Sequence, residues 1–341
     1  MQKRYLILAE EFSQDPHYGK TLRGVMRYRR ESVVAILDTK RAGDTDDGVP
    51  VVATVDEALR LEPNTALVGV VTQGGRFPAD WRALLRACVS AGLDLENGLH
   101  VRLKDDPELV DLARRHGVEL RDLREPPPDL STSTGANLDV DATIVLTVGS
   151  DCAIGKMTAT CELDLEARKR GLRSVFVPTG QTGIAIAGWG IAVDAVVSDF
   201  LAGAAERLVV EGAARGDLLW VEGQGAILHP IYSGVALGLM HGSAPHLYVL
   251  CHEVGRTEVE GDATHSPIPT LRELVDLHER MSLRLRPAKV AAVALNTAPV
   301  SEDEARQAIA DAEAETGLPA DDPVRFGPVR LLDAVLERAQ G

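Results

Sequence analysis

At 341 residues, the chain exceeds the length at which a single hydrophobic core usually keeps growing, so two domains of ordinary size are expected. Apolar residues make up 45% of it, enough for well-buried cores. The formal charge of −15 argues against a nucleic acid or an anionic membrane as partner, because phosphate surfaces recruit basic faces, and makes any anion site a local exception.

The first third alternates strand and helix signals. Arg4 to Ala9 reads as a buried strand, Lys20 to Tyr28 as a helix and Ser32 to Leu37 as a second strand. Val51-Val52 leads into a helix around Val55 to Leu61. The β-branched strand Ala66 to Val71 ends in Gln73-Gly74-Gly75, and Pro78 opens a helix through Ser90. This alternation predicts a parallel sheet covered by helices on both faces, with ligands received by loops at the carboxyl ends of the strands. Those loops are Glu10-Glu11, Asp38-Thr39 and Gln73-Gly74-Gly75. Asp38 stands where a ribose-binding acid sits in a dinucleotide fold, yet the first turn lacks G-x-G-x-x-G. Gly19-Lys20-Thr21 imitates the end of a phosphate loop, but Asp15-Pro16-His17 interrupts the approach, so it reads as a solvated helix start.

Around Glu125-Pro126-Pro127-Pro128 the pattern stops, and small polar residues fill the chain until Thr143. The expected architecture is α/β: an N-terminal Rossmann-like parallel-sheet domain over 1–128, a linker over 129–142, and a P-loop NTPase-like parallel-sheet domain over 143–341. The second part opens on the apolar run from Ile144. It breaks into the turn Gly149-Ser150-Asp151-Cys152-Ala153-Ile154-Gly155-Lys156-Met157-Thr158, and a helix follows to Arg170. A strand that delivers a tight glycine turn to a helix start presents free backbone N–H groups and the positive helix end to phosphate oxygens, while Lys156 adds a point charge. The common pattern has four residues between its glycines and a hydroxyl residue directly after the lysine. Here five residues separate Gly149 from Gly155, Met157 follows Lys156, and Thr158 comes one place later. The phosphate site is clear and its metal chemistry is open.

Ser174 to Val177 reads as the next strand and leads into the glycine turn Pro178 to Gly183, where Gln181, Thr182 and Gly183 offer a polar substrate close approach and uncharged hydrogen-bond partners. A helix carrying Asp194 and Asp199 is expected through about Glu211, and their separation does not place both on one face. Leu218 to Val221 forms a strand that runs into Glu222-Gly223-Gln224-Gly225. Glu222 therefore emerges at the sheet edge that also carries the phosphate loop, as a magnesium ligand or a general base. Further strands are expected at Leu247 to Cys251 and Val290 to Leu295, with Asn296 ending the latter. His229, close to Glu222 in the sequence, is a second candidate base; His252 ends a strand. No histidine spacing indicates zinc.

The cysteines Cys88, Cys152, Cys161 and Cys251 show no paired metal spacing and read as reduced thiols, with Cys152 alone placed near chemistry. No apolar run reaches about 18 residues, and the start turns acidic too soon for a signal peptide, so a cytoplasmic location is expected.

Taken in order, the loop Gly149 to Thr158, Thr179-Gly180-Gln181-Thr182-Gly183, Val193 to Phe200, Glu222-Gly223-Gln224-Gly225, Gly238 to Gly242 and Val249 to Glu253 resemble a P-loop family that includes the bacterial D-glutamate N-acetyltransferases. The likeness extends to Val68-Gly69-Val70, Gly74-Gly75 and Asn97-Gly98-Leu99-His100 in the first part. The lengthened glycine spacing is similar to that of dethiobiotin synthetase. The family resemblance implies an enzyme that moves an acetyl group from acetyl-CoA to the amine of a small amino acid, D-glutamate or similar, with the P-loop on the cosubstrate phosphates. Such a reaction needs a base, for which Glu222 and His229 are the candidates, and an acceptor carboxylate partner, for which Arg41, Arg76 and Arg256 are available. The resemblance to dethiobiotin synthetase implies an alternative, an ATP-dependent ligase or kinase with Thr158 and Glu222 around magnesium. A third reading is a nucleotide sensor without turnover. A homo-oligomer is expected, with the glycine-rich segment Ile184 to Ile191 as a candidate interface.

Overall fold

Short β-branched and aliphatic runs form strands buried along their whole length, such as Tyr5–Leu8 and Leu218–Val221, and the amphipathic segments between them form helices. The structure is a computed structural model that describes residues 2–15, 18–78, 80–261 and 265–340. Pro16 and His17, read above as interrupting a phosphate-loop pattern, lie outside the described residues. In chain order the first elements are β1 (Tyr5–Leu8), α1 (Lys20–Tyr28), β2 (Val33–Leu37), β3 (Thr45–Asp46), β4 (Val49–Val52), α2 (Val55–Leu59), β5 (Thr65–Val68), α3 (Trp81–Ser90), β6 (Asp94–Asn97), α4 (Pro107–His116) and β7 (Leu120–Asp122). They are followed by β8 (Thr143–Gly149), α5 (Lys156–Lys169), β9 (Ser174–Val177), α6 (Gln181–Ala187), α7 (Ser198–Ala213), β10 (Leu218–Val221) and α8 (Ser233–Ser243). The chain ends with β11 (Leu247–Glu253), α9 (Leu271–Met281), β12 (Lys289–Asn296), α10 (Glu302–Thr316), β13 (Ala320–Asp321) and α11 (Val329–Gln340).

Two compact units result, one of residues 1–125 with 184–189, the other of 126–183 with 190–341. The first holds a seven-stranded sheet of order β3-β4-β2-β1-β5-β6-β7, parallel except for β3 against β4. This is the Rossmann-like architecture expected from the alternation. Asp38, the candidate ribose acid, is buried and accepts bonds from the amides of Glu11, Ser13 and Lys40, so its carboxylate ties the loops after β1 and β2 together.

The second unit holds a parallel six-stranded sheet of order β13-β12-β11-β8-β10-β9. Its central strand β8 carries the phosphate loop and lies between β11 and β10, which deliver His252-Glu253 and Glu222 to the same edge. Beneath, Val145, Leu163, Trp220, Val249 and Leu331 form a continuous core. The Trp220 indole donates to Ser174 Oγ at 3.0 Å, which donates to Asp164, so the one polar atom of this ring is satisfied.

Several expectations change in the structure. The turn before Gly183 is the start of α6, because Glu222 caps its amino end. Asp194 lies in a 3-10 turn (Val193–Ala195), and the helix carrying Asp199 begins only at Ser198. Residues Ser133, Thr134 and Gly135, in the segment read as a linker, are stapled to α7: their hydroxyls and the amides of Thr134 and Gly135 all donate to the buried Glu206 carboxylate. Gly203 leaves room for this crossing, since a Cβ there would lie 1.9 Å from Ser131 O. All four cysteines are free thiols. Among the described residues, no helix is long and apolar enough to cross a membrane.

Candidate functional site: a phosphate loop beside a buried glutamate

The loop after β8 is shaped by two left-handed residues, Ala153 (φ 55°) and Gly155 (φ 106°), the second of which immediately precedes α5. Among the described residues, the amides of Ala153, Ile154 and Gly155 have no hydrogen-bond acceptor. Unpaired donors ahead of a fourteen-residue helix form an anion cradle. Lys156 runs back beneath this loop, and its Nζ donates to Asp151 O at 2.6 Å. Only 6% of Lys156 is exposed, and burial holds its ammonium below the usual lysine range, opposed by Cys152, Cys251, Asp151 and Glu222. A buried cation with partial compensation favours an incoming anion.

The cradle is held from below by an ion network. Asp151 is fully buried and accepts from Arg256 Nη1 at 2.9 Å and from the Glu260 amide at 2.8 Å. Arg256 also binds Cys152 O and the carboxylates of Glu253 and Glu260, and Glu253 accepts from Asn296 Nδ2. Arg256 is therefore engaged in shaping the loop, and Arg41 is likewise tied to Asp44, Asp46 and Ser13. Arg76 is exposed in the first unit, and its side chain has no partner among the described residues. Ser150 Oγ lies 2.9 Å from His252 Nδ1, a pairing that sequence reasoning did not find although both residues sat in motifs it had marked.

Glu222 is 3% exposed. Its Oε2 accepts from the amides of Thr179 (2.9 Å) and Gly180 (3.1 Å), and Gln224 Nε2 donates to Oε1. Burial pushes its pKa up to about 7, helped by Asp194 and opposed by the two amides and Lys156. Gly183 is glycine for a steric reason: a Cβ there would lie 2.4 Å from Glu222 Oε2. Gln181, Thr182 and Gly183 thus form the first turn of α6 directly over Glu222. His229 is buried with both ring nitrogens engaged. Nδ1 accepts from the Ile231 amide, which leaves the proton on Nε2, facing Glu260 O at 3.2 Å.

Thr158 lines a different cavity, of about 100 Å³, on the β12 side of the helix start, together with Gly155, Asn296, Asp322, Pro323 and Val324. For a magnesium ion the donor set fits poorly. Glu222 Oε2 already accepts two amides, and Thr158 lines a cavity that Glu222 does not. Among the described residues, the one grouping of three acidic, thiol or imidazole ligand atoms is Asp151, Cys152 and His229, within 4.8 Å of one another. Its Asp151 and His229 are already consumed by hydrogen bonds to Arg256, Ile231 and Glu260.

A family described as "Domain of unknown function (DUF1611_C) P-loop domain" matches residues 131–332, and its companion, "Domain of unknown function (DUF1611_N) Rossmann-like domain", matches residues 37–126. The chain belongs to the DUF1611 family. A solved DUF1611 family protein from Anabaena variabilis ATCC 29413 superimposes with a TM-score of 0.91 at 40% identity, covering 98% of this chain and 99% of that one. A protein of Tritonibacter scottomollicae named D-glutamate N-acetyltransferase is 37% identical over 285 residues, 83% of this chain and 84% of that protein. A Pseudoalteromonas protein of the same name is 33% identical over 276 residues, 80% and 82% of the two lengths. These two names support an acetyltransferase-like enzyme within the DUF1611 family.

Proposed function

We propose that this DUF1611 protein is a cytoplasmic N-acetyltransferase that moves an acetyl group from acetyl-CoA to the amine of a small amino acid, D-glutamate or a close analogue. The observation that carries the reading is the pairing of an anion cradle with an adjacent buried carboxylate whose pKa is near 7. The amides of Ala153, Ile154 and Gly155, with Lys156, hold phosphate oxygens of the cosubstrate. The cavity bounded by Thr158, Asn296 and Pro323 supports a place for its base. Acetyl-CoA supplies the activated acyl group; the protein must supply a base and orientation.

An amino acid arrives as an ammonium and is nucleophilic only once deprotonated. Glu222 takes that proton on Oε1, which accepts one bond, from Gln224, and keeps a lone pair; a carboxylate with a pKa near the working pH is both ionised often enough and basic enough for the task. His229 has no free nitrogen for it. Gln181 and Thr182, in the turn above Glu222, orient the acceptor. The test is release of the CoA thiol on mixing acetyl-CoA with D-glutamate and with a panel of D- and L-amino acids. Amine-dependent thiol release that Glu222→Gln suppresses at least about a hundredfold supports the reading, in keeping with the loss of a general base. Amino-acid-dependent consumption of ATP in place of acetyl-CoA moves the assignment to a ligase or kinase.

A further inference from the structure

Two buried polar side chains of the first unit, Asn97 and Asp122, organise a loop at the carboxyl end of the sheet. Asn97 Nδ2 donates to Val101 O at 2.9 Å and to Asp122 Oδ1 at 2.8 Å, and its Oδ1 accepts from the Leu99 amide. Asp122 accepts in turn from the amides of Leu103 and Lys104. On the neighbouring loop, Gly75 O accepts from the Val101 amide, and Gly75 packs so closely on His100 that a Cβ would lie 2.3 Å from the ring. The outcome is a fixed 3-10 turn, Leu103–Asp105, with exposed Arg102 and Asp105 at its two ends.

Beside the turn lies a cavity of about 290 Å³ walled by Phe77, Pro78, Leu85, Val101, Leu103 and Leu109. Four charged residues edge it. Arg82 binds both oxygens of Asp106, at 2.8 and 3.1 Å, which leaves neither residue free. Arg102 and Asp105 have no side-chain partner among the described residues. Arg102, the extended residue just before the turn, and Asp105, its last residue, both line the cavity. An unpaired cation and an unpaired anion thus flank an apolar cavity on a preorganised turn.

We propose that this cleft binds a free α-amino acid with an apolar side chain. Arg102 takes the α-carboxylate, Asp105 the α-ammonium, and the apolar walls the side chain. Ligand pockets begin at about 300 Å³, so the volume suits a single amino acid better than a cofactor. The opposed charges select a zwitterion, because a simple anion meets Asp105 and a simple amine meets Arg102. The site lies entirely within the first unit and does not depend on the acetyl-transfer reading.

The test is isothermal titration of the full chain with the D- and L-forms of leucine and phenylalanine. Saturable heat is expected. 4-Methylpentanoate and isoamylamine, each lacking one charge, are expected to bind at least about tenfold more weakly than leucine, and Arg102→Gln and Asp105→Asn each to weaken leucine by a similar factor. Both substitutions are on exposed side chains, and circular dichroism checks that the fold is retained. Lys156→Ala leaves leucine binding unchanged, which separates this cleft from the phosphate loop. The proposal is overturned if no amino acid gives saturable heat, if either single-charge analogue binds as well as leucine, or if both charge variants bind like the wild type.

Discussion

Gly183→Ala places two physical effects in opposition. Alanine within a helix is favoured over glycine by about 0.5–1 kcal/mol, so propensity alone predicts stabilisation of α6. The structure predicts the reverse, because the new Cβ lies 2.4 Å from Glu222 Oε2, 3.0 Å from Pro178 Cβ and 3.1 Å from Phe176 Cζ. With ring and proline on the other sides, the carboxylate must move, and it then loses at least one of its bonds from the amides of Thr179 and Gly180. A hydrogen bond to a charged group contributes about 1.5–3 kcal/mol, which exceeds the helix gain and leaves a net cost of about 1–2 kcal/mol. Since a pKa unit corresponds to about 1.4 kcal/mol, the same loss moves Glu222 from about 7 upward by about 1–2 units. A carboxyl group raised above its unfolded value lowers stability as pH rises from that value through the folded one. The variant therefore keeps losing stability between about pH 7 and 9, where the wild-type contribution has levelled off. Carbon-13 NMR titration, with Glu222→Gln to assign the resonance, reads the shift, and urea unfolding at pH 7 and 9 reads the linkage. An unchanged or lower Glu222 midpoint, or a variant more stable than wild type at both pH values, refutes the reasoning.

Other consequences follow from neighbouring contacts. Glu206→Gln puts an amide among donors only, and is expected to lower stability by about 1–3 kcal/mol in denaturant unfolding. Burial opposes ionisation of Glu206, but the four bonds from Ser133, Thr134 and Gly135 outweigh it and depress its pKa. That contribution is present above the unfolded value of about 4.5 and is lost as pH falls through the folded one, so the wild-type advantage narrows in acid. Arg256→Ala leaves the fully buried Asp151 without its cation and is expected to cost about 3–5 kcal/mol, measurable as a lowered unfolding midpoint. Lys156→Ala removes a buried ammonium, so the ligand-free protein is expected to be no less stable than wild type in a thermal melt; a large destabilisation there argues against the strained lysine described here.

The phosphate loop was legible because its signal is local: strand, glycines, lysine and helix lie in one stretch. Glu222 was legible as a position, the first residue past an apolar strand. Its setting was not, since the amides that bind it come from Thr179 and Gly180, and the segment around them reads as a turn until a carboxylate caps it. The partnership of Asp151 with Arg256 spans over a hundred residues, and no pattern in either segment announces it. Strand β6 escaped for another reason. Asp-Leu-Glu-Asn has no apolar alternation, yet Glu96 is buried because Lys3, Arg121 and the Tyr5 hydroxyl neutralise and bind it. Buried polar residues with distant partners are where periodicity loses its meaning.

The central claim is that the loop from Gly149 to Thr158 holds the phosphates of acetyl-CoA. Thermal unfolding with acetyl-CoA, CoA, or ATP plus magnesium, on wild type and Lys156→Ala, tests it most directly. A ligand at about 100 times its dissociation constant adds roughly 2.7 kcal/mol, a shift of several degrees. The account predicts that acetyl-CoA raises the wild-type midpoint and that Lys156→Ala abolishes the rise. A rise with ATP and magnesium alone, or an acetyl-CoA rise that survives Lys156→Ala, would contradict it.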